Sequence, residues 1–386
     1  MEKIISLNKD LLNKLRKEDF NGYDPFDFLN SKIIQLTPFK YSKWFRLSFI
    51  QLGKRLPVNL RSLLLVPKKR NPKGIGLIIS GLIQDYNRTK DIQYLNEARN
   101  LAEWLLTQRC DLTKWTYSCW GYHFDWQARA FYVPVGKPNI ITTYYAASAL
   151  YDFGKVAKDE KFTKAALDSA KFISLHLYRE SNGNCFFRYI PNEDTFVHNA
   201  NLLGSAWCAF AGKKLNDAKM IEQSLKATRL SAKEQTKEGA WLYGSNNFHN
   251  FIDGFHTGYN LEALCFIKDT LETSEFDENI KIGYQYYLDN FFEKDGTVKY
   301  YNNSIYPIDM HSFAQAIFTL LKVGNKLSDH TLCDKVVKRA VELMYLPNKD
   351  RFAYQKHRWF KNKINYMRWT QAWAYYSLAY YNLHKS

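Results

Sequence analysis

Apolar positions along the chain fall into two helical patterns that alternate. One is one-sided. In DIQYLNEARNLAEWLLTQ, KFTKAALDSAKFISLHLY, DAKMIEQSLKATRLSAKEQ, DENIKIGYQYYLDNFF and HTLCDKVVKRAVELMY, apolar residues recur near i, i+3, i+4 and i+7, with charge on the opposite face. The other is apolar nearly all round and rich in small residues, as in NIITTYYAASALYDFG, VHNANLLGSAWCAFAG, DGFHTGYNLEALCFIK, IDMHSFAQAIFTLLKVG and NYMRWTQAWAYYSLAYY. One polar marker in each of these, Thr142, Asn199, His256, His311 and Arg368, gives spacings of 57, 57, 55 and 57 residues. A further step of 57 back from Thr142 reaches Asp85, at the end of NPKGIGLIISGLIQDY, and marks a sixth, weaker unit.

A helix that is apolar all round belongs inside, and a one-sided helix outside. A two-helix unit at a fixed period buries its faces on its neighbours. Six such hairpins close into an all-α (α/α)6 toroid. An open solenoid is the alternative, but its repeats are usually shorter and it needs no long aromatic loops. The expectation is one toroid domain over residues 1–386, with residues 1–60 as an N-terminal segment packed on it.

Loop lengths choose the functional end. The inner-to-outer connections GKVAKDE and GKKLN are short, whereas those preceding the inner helices are long and aromatic. Long loops in a compact domain are usually functional. They gather on the rim where the inner helices begin, and helix N-termini favour an anion there. Asp253, His256 and Asn260 stand at i, i+3 and i+7, on one face of a helix that starts at Asp253. Asp253 is equally a helix cap by residue type. Asp309 and His311 are two apart, so one is expected as a cap and the other in the pore. His198 and Asn199 occupy the same phase, as do Arg368 and Trp369. The loop WGYHFDWQARAFYVPVGKPN adds Trp120, His123, Asp125, Trp126 and Arg129, and RFAYQKHRWFKNKINYMRW adds Arg358 and Trp359. Aromatic residues at this density serve either as stacking platforms for sugar rings or as packing over the pore.

Composition changes the picture in two ways. The net charge is +16, from 54 Lys and Arg against 38 Asp and Glu, and 16% of residues are aromatic. That balance favours an acidic partner. The basic residues are dispersed and carry no nucleic-acid-binding signature, so nucleic acid is not the expected partner. Six cysteines contain no C-x-x-C pair, and no motif implies a metal or organic cofactor. The apolar run Ile75 to Ile83 is too short to cross a bilayer, and the N-terminus lacks a signal-peptide core. A cytoplasmic protein with reduced thiols is expected.

GYDPFDFLNS, NPKGIGL, WGYHFDWQAR and DGFHTGYNLEAL, as an ordered set, resemble a bacterial family of α/α-toroid proteins of exopolysaccharide and capsule biosynthesis. The likeness runs from about Gly22 to about Tyr381. It implies the six-hairpin glycosidase-like fold and a cytoplasmic role in making or modifying a surface glycan. Peripheral association with membrane biosynthetic machinery is a further expectation, belonging to the reading of the chain as a module that organises a complex at the membrane face. It implies no particular reaction, since the toroid hosts many.

Two chemistries fit the residues. Glycoside hydrolysis needs two carboxylates flanking the bond, with Asp125, Asp253 and Asp309 as candidates. Proton abstraction beside a uronate carboxylate, as in a C5-epimerase or lyase, needs a base, a carboxylate clamp and a proton carrier. Asn199, His256, Tyr259, His311 and Arg368 supply that set. Acidic or lipid-linked glycans are the expected substrates, and a non-catalytic glycan-binding or scaffold module is the third reading. A prenyl-cyclase toroid would need an Asp-rich magnesium motif, which the chain lacks. A lanthionine-cyclase toroid would need clustered Cys and His, for which only Cys119 near His123 offers a start.

Overall fold

The computed structural model describes residues 2–129, 131–181, 183–324 and 327–385. Its main helices in chain order are α1 (Glu2–Lys17), α2 (Lys43–Arg55), α3 (Pro72–Thr89), α4 (Ile92–Thr107), α5 (Ile140–Val156), α6 (Glu160–Phe172), α7 (His198–Leu215), α8 (Ala218–Lys233), α9 (Gly254–Leu271), α10 (Asp277–Phe291), α11 (Met310–Lys322), α12 (Leu327–Met344) and α13 (Ala372–Lys385). Helices α3, α5, α7, α9, α11 and α13 pack each on the next, and α13 returns to α3, which closes an inner ring. Helices α4, α6, α8, α10 and α12 each pair with the inner helix before them. The architecture is an (α/α)6 toroid.

The sixth outer position is filled from the other end of the chain. Helix α1 packs on α13, burying Leu7, Leu11, Leu12 and Leu15 from its one-sided apolar stripe. The N-terminal helix thereby stands as the outer partner of the last inner helix. Residues 18–71 then form the sixth long connection and cross the rim where the inner helices start.

Sequence patterns fix the helix boundaries. Asn71, Asn139, Asp253 and Asp309 accept hydrogen bonds from the backbone N–H groups of Gly74, Thr142, His256 and His311, which satisfies donors that a helix start leaves free. Small residues let the inner helices approach closely. A side chain on Gly76 would place its Cβ 2.6 Å from the Tyr145 carbonyl oxygen. The long connections carry short antiparallel hairpins, among them Trp126–Gln127 with Tyr132–Val133 and Gln355–Lys356 with Lys361–Asn362.

One phase assignment needs correction. Asp85 does not mark the start of the first inner helix. That helix starts at Pro72, and Asp85 lies in its last turns, bonded to Tyr375 Oη at 2.9 Å and Arg88 at 3.2 Å. The first long loop, residues 108–139, makes the first repeat longer than the others, so a fixed 57-residue step back from Thr142 falls short of the helix start.

Candidate functional site

The N-terminal crossing makes the site. In GYDPFDFLNS, the Asp24 carboxylate takes a two-pronged ion pair from Arg368, Nε at 2.6 Å and Nη2 at 2.8 Å. Asp27 takes Arg61 Nε at 2.6 Å. Both pairs are buried. Burial pushes the Asp27 carboxyl up to about 7 despite the Arg61 charge. The first pair pins the crossing to the last inner repeat and the second braces the crossing itself, and Phe26 and Lys54 of the crossing then line a cavity of about 250 Å³. Phe26, Trp126, Trp369, Phe255 and Tyr189 form apolar walls; Lys54, Asp253, His256, Tyr243, Tyr300 and Arg368 supply the polar groups. The cavity continues outward into a cleft of about 360 Å³ that shares Phe26, Lys54, Trp126 and Tyr243 and adds Arg55, Arg129 and His249. Ligand sites have this make-up: mostly apolar and aromatic, with a few convergent polar groups.

Asp253 does two jobs. Its Oδ1 accepts the His256 backbone N–H at 2.8 Å and caps α9. Its Oδ2 lies 2.6 Å from His256 Nδ1. A carboxylate only accepts, so Nδ1 carries a hydrogen, and Nε2 is the ring nitrogen that Asp253 does not engage. Asp253 is sealed from solvent, whereas the His256 ring is 21% exposed and lines the cavity.

Below the cavity floor, the His311 ring lies sandwiched between Phe255 and Trp373, with centroids 4.8 and 4.6 Å away. Its Nε2 is 2.5 Å from Tyr259 Oη, and its buried Nδ1 has no partner among the described residues. Burial, then the charge of Lys73, holds His311 well below the usual histidine range, so it is neutral. Asp309 caps α11 and also accepts Gln355 Nε2 at 2.7 Å and Trp369 Nε1 at 3.3 Å. Burial raises its carboxyl to about 6. Asp309 thus fixes the start of α11 and the Trp369 wall from behind, and it does not line the cavity.

The structure brings together Trp126, Asp253, His256, Arg368 and Trp369 around the cavity, with Tyr259, Asp309 and His311 directly beneath or behind. Arg129 stands at the outer cleft. The remaining candidates sit elsewhere. Trp120 is core, its Nε1 donating to the Leu105 carbonyl at 2.8 Å. His123 bonds Asn71 at 2.9 Å beside a separate recess, and burial lowers it to about 3. Asp125 braces its own loop by accepting Val135 N–H at 2.8 Å. His198 is buried against Ser231 at 3.1 Å, with its value pushed down to about 4 by burial. Asn199 is buried on α7, its Oδ1 unpaired among the described residues. Arg358 stacks on Trp359 at an exposed hairpin tip, with Trp359 84% exposed.

Sequence reasoning missed Asp24, Lys54 and Lys73. Asp24 lies inside a motif used only for resemblance. Lys54 projects from α2 into the cavity, 5.0 Å from the Phe26 ring centroid, and burial lowers its ammonium. Its signal is the long acid-free stretch that contains it. Lys73 is buried at the first inner-helix start, its Nζ 4.3, 5.2 and 5.6 Å from the ring centroids of Tyr145, Trp373 and Tyr259. Burial, then the Arg368 charge, pushes it well below the usual lysine range. The misplaced phase of the first repeat hid it.

No family profile matches the chain, and no curated protein matches it. Solved structures do match. Cellobiose 2-epimerase from Bacillus thermoamylovorans superposes with a TM-score of 0.63 at 11% identity, over 83% of this chain and 90% of that one. Unsaturated glucuronyl hydrolase from Bacillus sp. GL1, responsible for glycosaminoglycan degradation, gives 0.58 at 14%, over 81% and 86%. A UGL variant paired with dGlcA-Glc-Rha-Glc gives 0.67 at 14%, over 98% and 94%. At these identities the likeness establishes the fold, which the chain shares with six-hairpin glycosidase-like enzymes.

Proposed function

We propose that the chain is a carbohydrate-active enzyme that takes a proton from the carbon beside the carboxylate of a uronate residue, as an epimerase or a lyase does. The observation that carries this reading is the Asp253–His256 pair, in which a carboxylate holds Nδ1 of an imidazole that lines a basic, aromatic-walled cavity. In the step, the C–H proton passes to His256 Nε2, and the imidazolium is held by the Asp253 carboxylate. The electron pair delocalises into the substrate carboxylate, where Lys54 and the Arg368 Nη1 left over from Asp24 offset the added charge. Return of a proton to the opposite face gives the epimer; loss of the group on the next carbon gives the unsaturated sugar. Tyr243 and Tyr300 line the same cavity, and burial keeps their hydroxyls protonated, so they are the proton donors at hand. Trp126 and Trp369 supply stacking faces for the rings.

Hydrolysis by paired carboxylates fits less well. Among the described residues, Asp253 is the one carboxylate that lines the cavity, and it is committed to His256. The substrate in this reading is an acidic or lipid-linked glycan of cell-surface polysaccharide biosynthesis or modification. The ordered motifs shared with the exopolysaccharide and capsule family support that setting, as do glycan-directed enzymes on the same fold. The test is incubation with uronate-containing oligosaccharides in deuterated water, followed by mass spectrometry. Deuterium in recovered sugar, or unsaturated product, is expected. Reducing ends released without deuterium and without unsaturation would favour hydrolysis. Saturable binding with neither would leave a binding module.

A further inference from the structure

No Asp or Glu occurs between Asp27 and Asp85, a stretch that holds eleven Lys and Arg. Lys32, Lys43, Arg55, Lys68 and Lys69 from this set are exposed. The same stretch concentrates apolar surface. Nine of the 22 exposed large apolar side chains among the described residues lie between Ile33 and Leu65. Leu36 is 89% exposed, Trp44 77%, Tyr41 76% and Leu63 74%. Single exposed apolar residues are ordinary, but a cluster of this size marks an interaction surface.

Helix α2 shows how the two sides divide. Trp44, Ser48 and Leu52, at i, i+4 and i+8, are exposed and share one face, while exposed Arg55 stands at the cleft mouth. Leu47, Ile50 and Lys54 on the other side line the cleft that leads to the candidate site. One short helix therefore separates the cleft from the exposed apolar and basic surface.

We propose that residues 32–69 dock this protein on an anionic phospholipid surface, with the cleft mouth at headgroup level. Three features select a bilayer over an acidic protein. Four of the apolar side chains, Leu36, Tyr41, Trp44 and Leu63, stand largely free of the protein, as insertion into a lipid interface requires. Trp44 and Tyr41 have amphipathic rings that settle at headgroup depth. The charge carried by the segment itself is lysine and arginine with no carboxylate, and the carboxylates brought against it, Asp125 at Gln35 and Glu18 beside Lys68, are fewer than its cations. Anionic lipid attracts such a surface and a protein interface core disfavours it. This inference is independent of the reaction proposed above, because its readout is partition alone.

The experiment is co-sedimentation of the full chain with vesicles of phosphatidylcholine alone, or of phosphatidylcholine doped with phosphatidylglycerol, in about 0.1 M salt. At least about tenfold stronger partition onto the doped vesicles is expected, falling as salt rises. Leu36→Glu with Trp44→Glu, and separately Lys43→Glu with Lys68→Glu, are each expected to lower partition about tenfold or more with the melting temperature unchanged. The proposal is overturned if the wild type ignores both vesicle types, or if either variant partitions like the wild type. It is equally overturned if the wild type ignores vesicles but binds heparin or polyaspartate through these same residues, since the face then serves an acidic macromolecule.

Discussion

Replacing Asp253 by Asn isolates the chemistry assigned to the Asp253–His256 pair. The backbone N–H of His256, 2.8 Å from Oδ1, fixes the new side chain. The amide oxygen must face that donor, so the amide NH₂ faces Nδ1, 2.6 Å away in the parent. A donor there reverses the imidazole. Nδ1 becomes the acceptor, Nε2 carries the hydrogen, and the base points an N–H at the substrate. Reaching the active tautomer then forfeits a charge-assisted hydrogen bond of about 1.5–3 kcal/mol. The imidazolium also loses the facing carboxylate, a term of similar size. Together these cost about 3–6 kcal/mol, or a loss of about 10²- to 10⁴-fold in kcat with KM little changed. The cap survives, because Asn and Asp cap about equally well, so stability should fall by no more than about 1 kcal/mol. Deuterium incorporation gives kcat, thermal unfolding gives stability, and ¹⁵N NMR of the imidazole reports the tautomer. A loss below about tenfold in kcat, or an NMR spectrum showing Nε2 still unprotonated, would refute the argument.

Three further outcomes follow from the geometry. Asp24→Asn leaves the buried Arg368 guanidinium without its counter-ion; urea unfolding should show a loss of about 3–5 kcal/mol, partly recovered by adding Arg368→Met. Gly76→Ala forces apart α3 and α5, where the new Cβ would meet a carbonyl at 2.6 Å, and should cost about 1–3 kcal/mol by the same measurement. Buried His198, lowered to about 4 in the folded chain against about 6.5 unfolded, binds fewer protons folded than unfolded across that window. Stability therefore rises with pH between about 4 and 6.5, by up to about 3 kcal/mol from this group, and His198→Asn should flatten that slope. An unchanged slope would mean that Glu234, 3.4 Å from Nε2, already compensates the charge.

The ring was readable in the chain because two helical periodicities alternate at a nearly constant spacing. His256, His311 and Arg368 could be placed at one rim from phase alone, and the structure sets them around and under one hollow. Roles within that hollow were not readable, because they depend on contacts distant in sequence. Arg368 looked like a free substrate clamp until Asp24, 344 residues away, claimed two of its nitrogens. Asp309 and Asp253 look alike as helix caps, yet one is walled in by Gln355 and Trp369 while the other holds an imidazole facing the cavity. Residue type likewise misplaced Trp120 and His198, which serve the core. The N-terminal segment was expected to lie on the ring, and its first helix instead fills an outer position of that ring. No local pattern distinguishes those outcomes, because α1 is a one-sided helix in either case.

The most direct trial of the account compares wild type and His256→Ala for deuterium uptake at the carbon beside the carboxylate of a uronate oligosaccharide, both proteins verified as folded. The account predicts uptake by the wild type and a fall of at least about 10³-fold in the variant, with glycan binding retained. Equal uptake by both proteins would contradict it, because the proton would then be leaving to some other group.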